Sequence, residues 1–121
     1  MKLSSNPLNL AFRFLLELAA LVAMGYWGWQ TGPGWLRWLF MIGVPLIAAV
    51  LWGVFRVPND PGPAPVRVPG LVRLALELFY FGFAVWGLGD AGAIGASWIL
   101  GVSVLVHYVI SYDRVLWLVK Q

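Results

Sequence analysis

Four apolar runs, each close to the length of a bilayer crossing, dictate what this chain can fold into. They extend over about residues 8–29, 35–55, 71–88 and 94–118. A helix needs ~20 apolar residues to cross ~30 Å of hydrocarbon. Backbone groups in lipid must pair within their own segment, so runs of this length are expected to be helices. A β-barrel would need strands of ~10 residues alternating in polarity, and these runs do not alternate. The expected fold is all-α: an integral membrane bundle of four transmembrane helices forming one transmembrane domain.

Composition agrees with the runs. Of the 121 residues, 61% are hydrophobic and 11% charged. Ordinary soluble domains have about 25% charged residues. Eight Trp, seven Phe and four Tyr suit aromatic belts at membrane interfaces. There is no Cys, so disulfides and thiolate chemistry are excluded. A cleavable signal peptide is not expected, because the first run holds Arg13 and Glu17 and continues to about Trp29.

The helix boundaries are marked by turn residues. Asn6-Pro7 offers a cap and a proline for the first helical position. Thr31-Gly32-Pro33 predicts a tight turn before helix 2, and Pro69-Gly70 predicts the start of helix 3. Asp90-Ala91-Gly92 predicts a short link into helix 4. Pro45 inside helix 2 predicts a kink. Five prolines (58, 61, 63, 65 and 69) make residues 56–70 an expected extended linker of polyproline type.

Lys and Arg set the expected orientation. Lys2, Arg13, Arg56, Arg67, Arg73, Arg114 and Lys120 fall on one side of a four-helix layout, and Arg37 on the other. Seven against one predicts both termini in the cytoplasm. Tyr26, Trp27, Trp29, Trp35 and Trp38 then mark the outer interface, and Trp52, Tyr112 and Trp117 the inner one.

Two of the crossings carry charges. Arg13 and Glu17 are four residues apart, as are Arg73 and Glu77, so each pair shares a helix face. FRFLLE at 12–17 and VRLALE at 72–77, with further matches such as Arg56-Val57 and Arg114-Val115, point to two similar helical hairpins made by internal duplication. Counting 1.5 Å per residue, Glu17 lies roughly 12 Å and Glu77 roughly 10 Å from the start of its helix, and His107, seven residues before Arg114, lies about 10 Å from the cytoplasmic end of helix 4. Arg13, Glu17, Arg73, Glu77 and His107 therefore form a candidate polar layer, with Ser103, Tyr108 and Ser111 nearby.

Two readings of that layer compete. In the structural one, Arg and Glu neutralise each other within a helix, or Arg13 reaches Glu77 and Arg73 reaches Glu17 to lock helices 1 and 3 in register. In the functional one, intramembrane ionisable groups mark a proton or substrate path. His107 is read either as a neutral ring bonded to a neighbouring carboxylate or as a relay to Glu17 or Glu77. The pairs also suit a contact with a partner membrane protein. The stripe Ala93, Ser97, Gly101 fits packing inside the bundle or a homodimer contact, and Gly25 and Gly28 fit similarly. One His and two Arg-paired Glu are a poor metal set, so no metal and no cofactor are expected. No phosphate loop, nucleophile signature or nucleic-acid motif is present, so neither enzyme activity nor nucleic-acid binding is expected.

Residues 9–21, NLAFRFLLELAAL, followed by GYWGW at 25–29, resemble the opening of the YrdB-like family; so does VPGLVRLALE at 68–77. The resemblance covers nearly the whole chain. It implies a small bacterial four-helix membrane protein of the plasma membrane, and it implies no activity. The layout is also similar to small multidrug-resistance transporters, with Glu17 in the first helix. Those proteins lack the paired Arg and a counterpart of Glu77.

Overall fold

The computed structural model describes residues 6–57 and 64–121. Four long helices, a short fifth one and a two-residue parallel ladder follow in the order α1 (Pro7–Thr31), α2 (Leu36–Val54), β1 (Phe55–Arg56), β2 (Val66–Arg67), α3 (Gly70–Asp90), α4 (Ile94–Ile110) and α5 (Tyr112–Val119). Asn6 caps α1 by accepting the Leu8 N–H at 2.9 Å, with Pro7 at the first helical position. The chain then turns with Gly34 at φ +56° and Gly92 at φ +89°, in the left-handed region that glycine enters without cost. α2 runs unbroken through Pro45.

Two boundaries differ from expectation. The fourth run, expected as one helix over 94–118, breaks at Ser111, and α5 turns 72° from α4. Ser111 has φ −95° and ψ 27°, its N–H reaches His107 O, and its own carbonyl accepts from Arg114 N and Val115 N. Its hydroxyl accepts from Asn9 Nδ2 at 2.8 Å, which anchors the bend to α1. The linker is not wholly polyproline: Phe55 pairs with Val66 and Arg56 with Arg67 in parallel register, and Val68 N–H reaches Arg56 O. Pro58, Pro61 and Pro63 lie outside the described residues, as does Lys2.

Helices α1, α2 and α3 are each long and apolar enough to cross a membrane, and α4 with α5 makes a fourth if the bent pair counts as one span. α1 and α3 form the centre, with Leu16, Ala20, Ala23 and Met24 of one against Tyr80, Phe81, Ala84 and Leu88 of the other. α2 packs on α1, and α4 on α3. The outward faces are apolar: Trp52 is the one buried residue of α2, and Leu39, Ile42, Leu46 and Val50 are exposed along it. Soluble monomers rarely carry such a surface, whereas a hydrocarbon surrounding suits it.

Lipid tails are as apolar as Leu, so helices in lipid are held by close packing and polar contacts. Both occur here. A Cβ on Gly28 would come 2.5 Å from the Phe40 carbonyl, and one on Gly25 would come 3.2 Å from Met41 O, so these glycines let α1 and α2 touch backbone to backbone. The small-residue stripe of α4 faces inward: Ser97 Oγ donates to Val85 O at 2.7 Å, and Gly101 abuts the Val85 side chain.

Candidate functional site

The helix register brings the N-terminal halves of α1 and α3 together with the ends of α2 and α4. Glu77, two turns into α3, lies at their meeting point and is 1% exposed. Its Oε1 accepts from Tyr108 OH at 2.8 Å and from Arg114 Nη1 at 2.9 Å. Its Oε2 accepts from Arg73 Nε at 3.0 Å and from Arg114 Nη2 at 2.6 Å. Arg13 Nη2 of α1 approaches the same oxygen at 3.8 Å. One carboxylate thus meets three guanidinium groups, drawn from α1, α3 and α5, and a phenol from α4.

Arg73 extends the centre to α2. Its Nη1 donates to the carbonyls of Trp52 and Phe55. The last turn of a helix has carbonyls with no partner of its own, and a cation there also meets the negative end of the helix dipole. Arg73 therefore caps α2 from α3, and its Cζ sits 4.2 Å from the Trp52 ring centre. Trp52, expected at the inner interface, is instead buried beneath this guanidinium and against Tyr80, with ring centres 4.5 Å apart.

Glu17 stands apart. Its Oε1 accepts from Arg13 Nε at 3.2 Å, and among the described residues it bonds to no other cation. The expected Arg73–Glu17 cross-pair does not form, whereas the Arg13–Glu77 cross-pair does. Glu17's side chain is 22% exposed. Its backbone carbonyl accepts from Tyr80 OH at 3.0 Å, a second tie between α1 and α3.

His107 is buried at the level of the charges but bonded to neither carboxylate. It packs edge-on against Phe12 and Tyr108, with ring centres at 5.6 and 5.5 Å, and its Nδ1 meets no acceptor or donor. Neither the hydrogen-bonded ring nor the relay expected from sequence is therefore formed through a direct contact. Among the described residues, no group of three His, Asp or Glu side chains converges to hold a metal.

Arg114 is the residue that sequence reasoning misplaced. The sequence marks it only as one of the orienting charges, yet it is 3% exposed and makes the shortest ion pair to Glu77. The spacing gave only a partial signal, because α5 turns away from α4 between the two residues. Seven residues separate it from His107, two helical turns, which puts both on one face of the fourth run.

A chain of this construction has known relatives. The model of a family described as a protein of unknown function, DUF2568, matches residues 11–105. The chain is also similar to the "Uncharacterized protein YrdB" of Bacillus subtilis (strain 168), with 34% identity over 119 residues covering 96% of this chain and 97% of that protein. No solved structure matches. The matched stretch contains Arg13, Glu17, Arg73 and Glu77, and the chain belongs to the DUF2568 family of proteins of unknown function.

Proposed function

We infer that this chain is a structural or accessory protein of the bacterial plasma membrane, without a reaction of its own, in which the Glu77 centre locks the helices together. α1, α2 and α3 each make one crossing, and α4 with α5 makes the fourth. The termini lie on the cytoplasmic side, in keeping with the Lys and Arg bias. The two hairpins are read as copies, because Arg13–Glu17 and Arg73–Glu77 make the same Nε-to-carboxylate bond four residues apart.

The observation that carries this reading is the closure of Glu77. Every hydrogen-bonding direction of its carboxylate is filled by Arg73, Arg114 and Tyr108, with Arg13 alongside, below the molecular surface. A carboxylate so held is a poor proton carrier, since protonation would leave the buried Arg73 and Arg114 short of a counter-charge. It is a good fastener, because removing it strands those charges.

The second reading, a proton-coupled carrier, is favoured by one observation: Glu17 is the partly exposed acid of the layer, with a single partner. In that reading Glu17, Glu77 and His107 make the path. The two are separated by purifying the chain with Glu77→Gln and with Glu17→Gln. Thermal unfolding in detergent and proton flux into liposomes are then measured for each. The fastener reading expects a large loss of stability for Glu77→Gln and no flux in any variant. Proton flux by the native chain that Glu17→Gln abolishes would overturn it. Topology is open to direct test because the chain has no Cys. Ala91→Cys is expected to react with an impermeant thiol reagent added outside intact cells, and Gln121→Cys only after permeabilisation.

A further inference from the structure

At the end of the bundle away from Glu77, one guanidinium is held in place without an anion. Arg37, at the start of α2, donates through Nε to Trp29 O at 3.3 Å, and its Cζ lies 4.3 Å from the Trp29 ring centre. The Trp29 ring is fixed in turn by Trp38, edge-on at 4.8 Å. Neither Nη of Arg37 meets an acceptor among the described residues, and the side chain is partly exposed. The nearby backbone N–H groups of Leu36, Arg37 and Trp38 are used within the turn, on Pro33, Gly34 and Trp35. The result is an oriented pair of N–H donors. A planar guanidinium presented this way matches two oxygens of a phosphate, which a flexible ammonium does not.

An apolar groove of about 680 Å³ runs between the outer faces of α1 and α2 from the same aromatic pair. Leu21, Val22 and Tyr26 line one wall, Met41 and Pro45 the other, with Gly25 between them. From Trp29 to Leu21 is eight residues, about 12 Å along the helix. One leaflet of hydrocarbon is about 15 Å deep, half of the ~30 Å core. The groove thus runs through most of one leaflet and has its cation at the headgroup level. Basic pockets between membrane helices bind lipid headgroups on the cytoplasmic side, and Arg37 offers the same chemistry at the other end of the bundle.

We propose that Arg37 and the α1–α2 groove bind one phospholipid, with the phosphate accepting from both Nη groups of Arg37 and an acyl chain lying along the groove toward Pro45. This rests on the membrane reading above. Charge selects the occupant: a lipid brings the phosphate that the fixed guanidinium fits, together with a chain for the apolar walls. The groove's aromatic rim, Tyr26, Trp29 and Trp38, sits where tryptophan and tyrosine favour the interface.

The full chain, purified in mild detergent, is titrated with phosphatidylglycerol and bound lipid is counted by native mass spectrometry. The same titration is run with dioleoylglycerol, which lacks the phosphate, and with glycerol 3-phosphate, which lacks the chains. Expected is retention of one phosphatidylglycerol, weak retention of dioleoylglycerol and none of glycerol 3-phosphate. Arg37→Gln is expected to weaken retention about tenfold or more at unchanged helicity, the worth of one charge-assisted hydrogen bond. Arg37→Lys is expected to restore it only in part, and Val22→Trp, which fills the groove, to abolish it. Equal retention by wild type and Arg37→Gln overturns the proposal. So does glycerol 3-phosphate binding as well as the lipid, which would make this a site for free phosphate esters. A wild-type dimer that Val22→Trp dissolves overturns it as well, by making a second copy the occupant. A chain recovered in the soluble fraction would instead defeat the membrane reading itself.

Discussion

Arg114 grips Glu77 through both of its amino groups, Nη1 on Oε1 at 2.9 Å and Nη2 on Oε2 at 2.6 Å. This two-point contact joins α5 to α3, across the 72° bend that separates α5 from α4. With Arg73 on α2's last carbonyls and Arg13 reaching over from α1, the bundle is fastened at one level by one carboxylate.

Removing that carboxylate is expected to be the most damaging single change in the layer. Glu77→Ala leaves three arginines around an empty centre, and breaking a buried pair in this way costs about 3–5 kcal/mol. Glu17→Ala frees one partly exposed arginine and is expected to cost less than about 1 kcal/mol. Unfolding of the two variants in the same detergent, measured side by side, checks the ranking. Equal losses would contradict the asymmetry between the two acids.

Tyr108→Phe deletes one hydroxyl and leaves the packing of the ring intact. It removes a 2.8 Å bond to Glu77 Oε1. Side-chain hydrogen bonds between membrane helices are worth about 0.6–2 kcal/mol, and a loss in that range is expected from denaturation curves.

Gly70→Ala tests the fastening without touching a charge. A Cβ at residue 70 would run into the Leu118 carbonyl, so α5 must move away from the start of α3. That movement is expected to part Arg114 from Glu77. The substitution should therefore couple with Arg114→Gln: the double variant is expected to lose less than the sum of the two singles, since each disrupts the same contact. A strictly additive double-mutant cycle would separate the two.

Gly28→Ala is expected to push α1 and α2 apart, because its Cβ would meet the Phe40 carbonyl at 2.5 Å. Overpacking of this kind costs about 1–3 kcal/mol. Gly82→Ala, where an added Cβ meets nothing within 4 Å, serves as the neutral control. Stability of both, read in one assay, distinguishes close approach from helix propensity.

What sequence made readable was set by local chemistry. Asn6-Pro7 and Asp90-Ala91-Gly92 announced their boundaries because capping and positive φ demand particular residues close at hand. Arg13, Glu17, Arg73 and Glu77 were conspicuous because charges are rare in apolar runs, and four-residue spacing told which could pair within a helix. The break at Ser111 was not readable. Ile-Ser-Tyr contains neither proline nor glycine, and what anchors the bend is Asn9, 102 residues away in the chain. Arg114's role depended on that bend, which swings it toward Glu77 and away from the role of a flanking charge. Trp52 was misplaced for a similar reason: an aromatic near a helix end reads as an interface residue until the arginine that covers it is located in space.

The order in which these residues are made has a consequence for biogenesis. Arg13 and Glu17 are synthesised four residues apart, and so are Arg73 and Glu77, so on the membrane reading proposed above each pair enters the bilayer as a mutually compensated unit. Arg114 is translated after all of them and supplies the two-point contact on Glu77. Until it arrives, a half-made chain holds α1, α2 and α3 without their strongest clasp. On the membrane reading proposed above, the fourth segment is expected to complete the assembly, and a chain ending before residue 114 is expected to unfold more readily in detergent than the full chain.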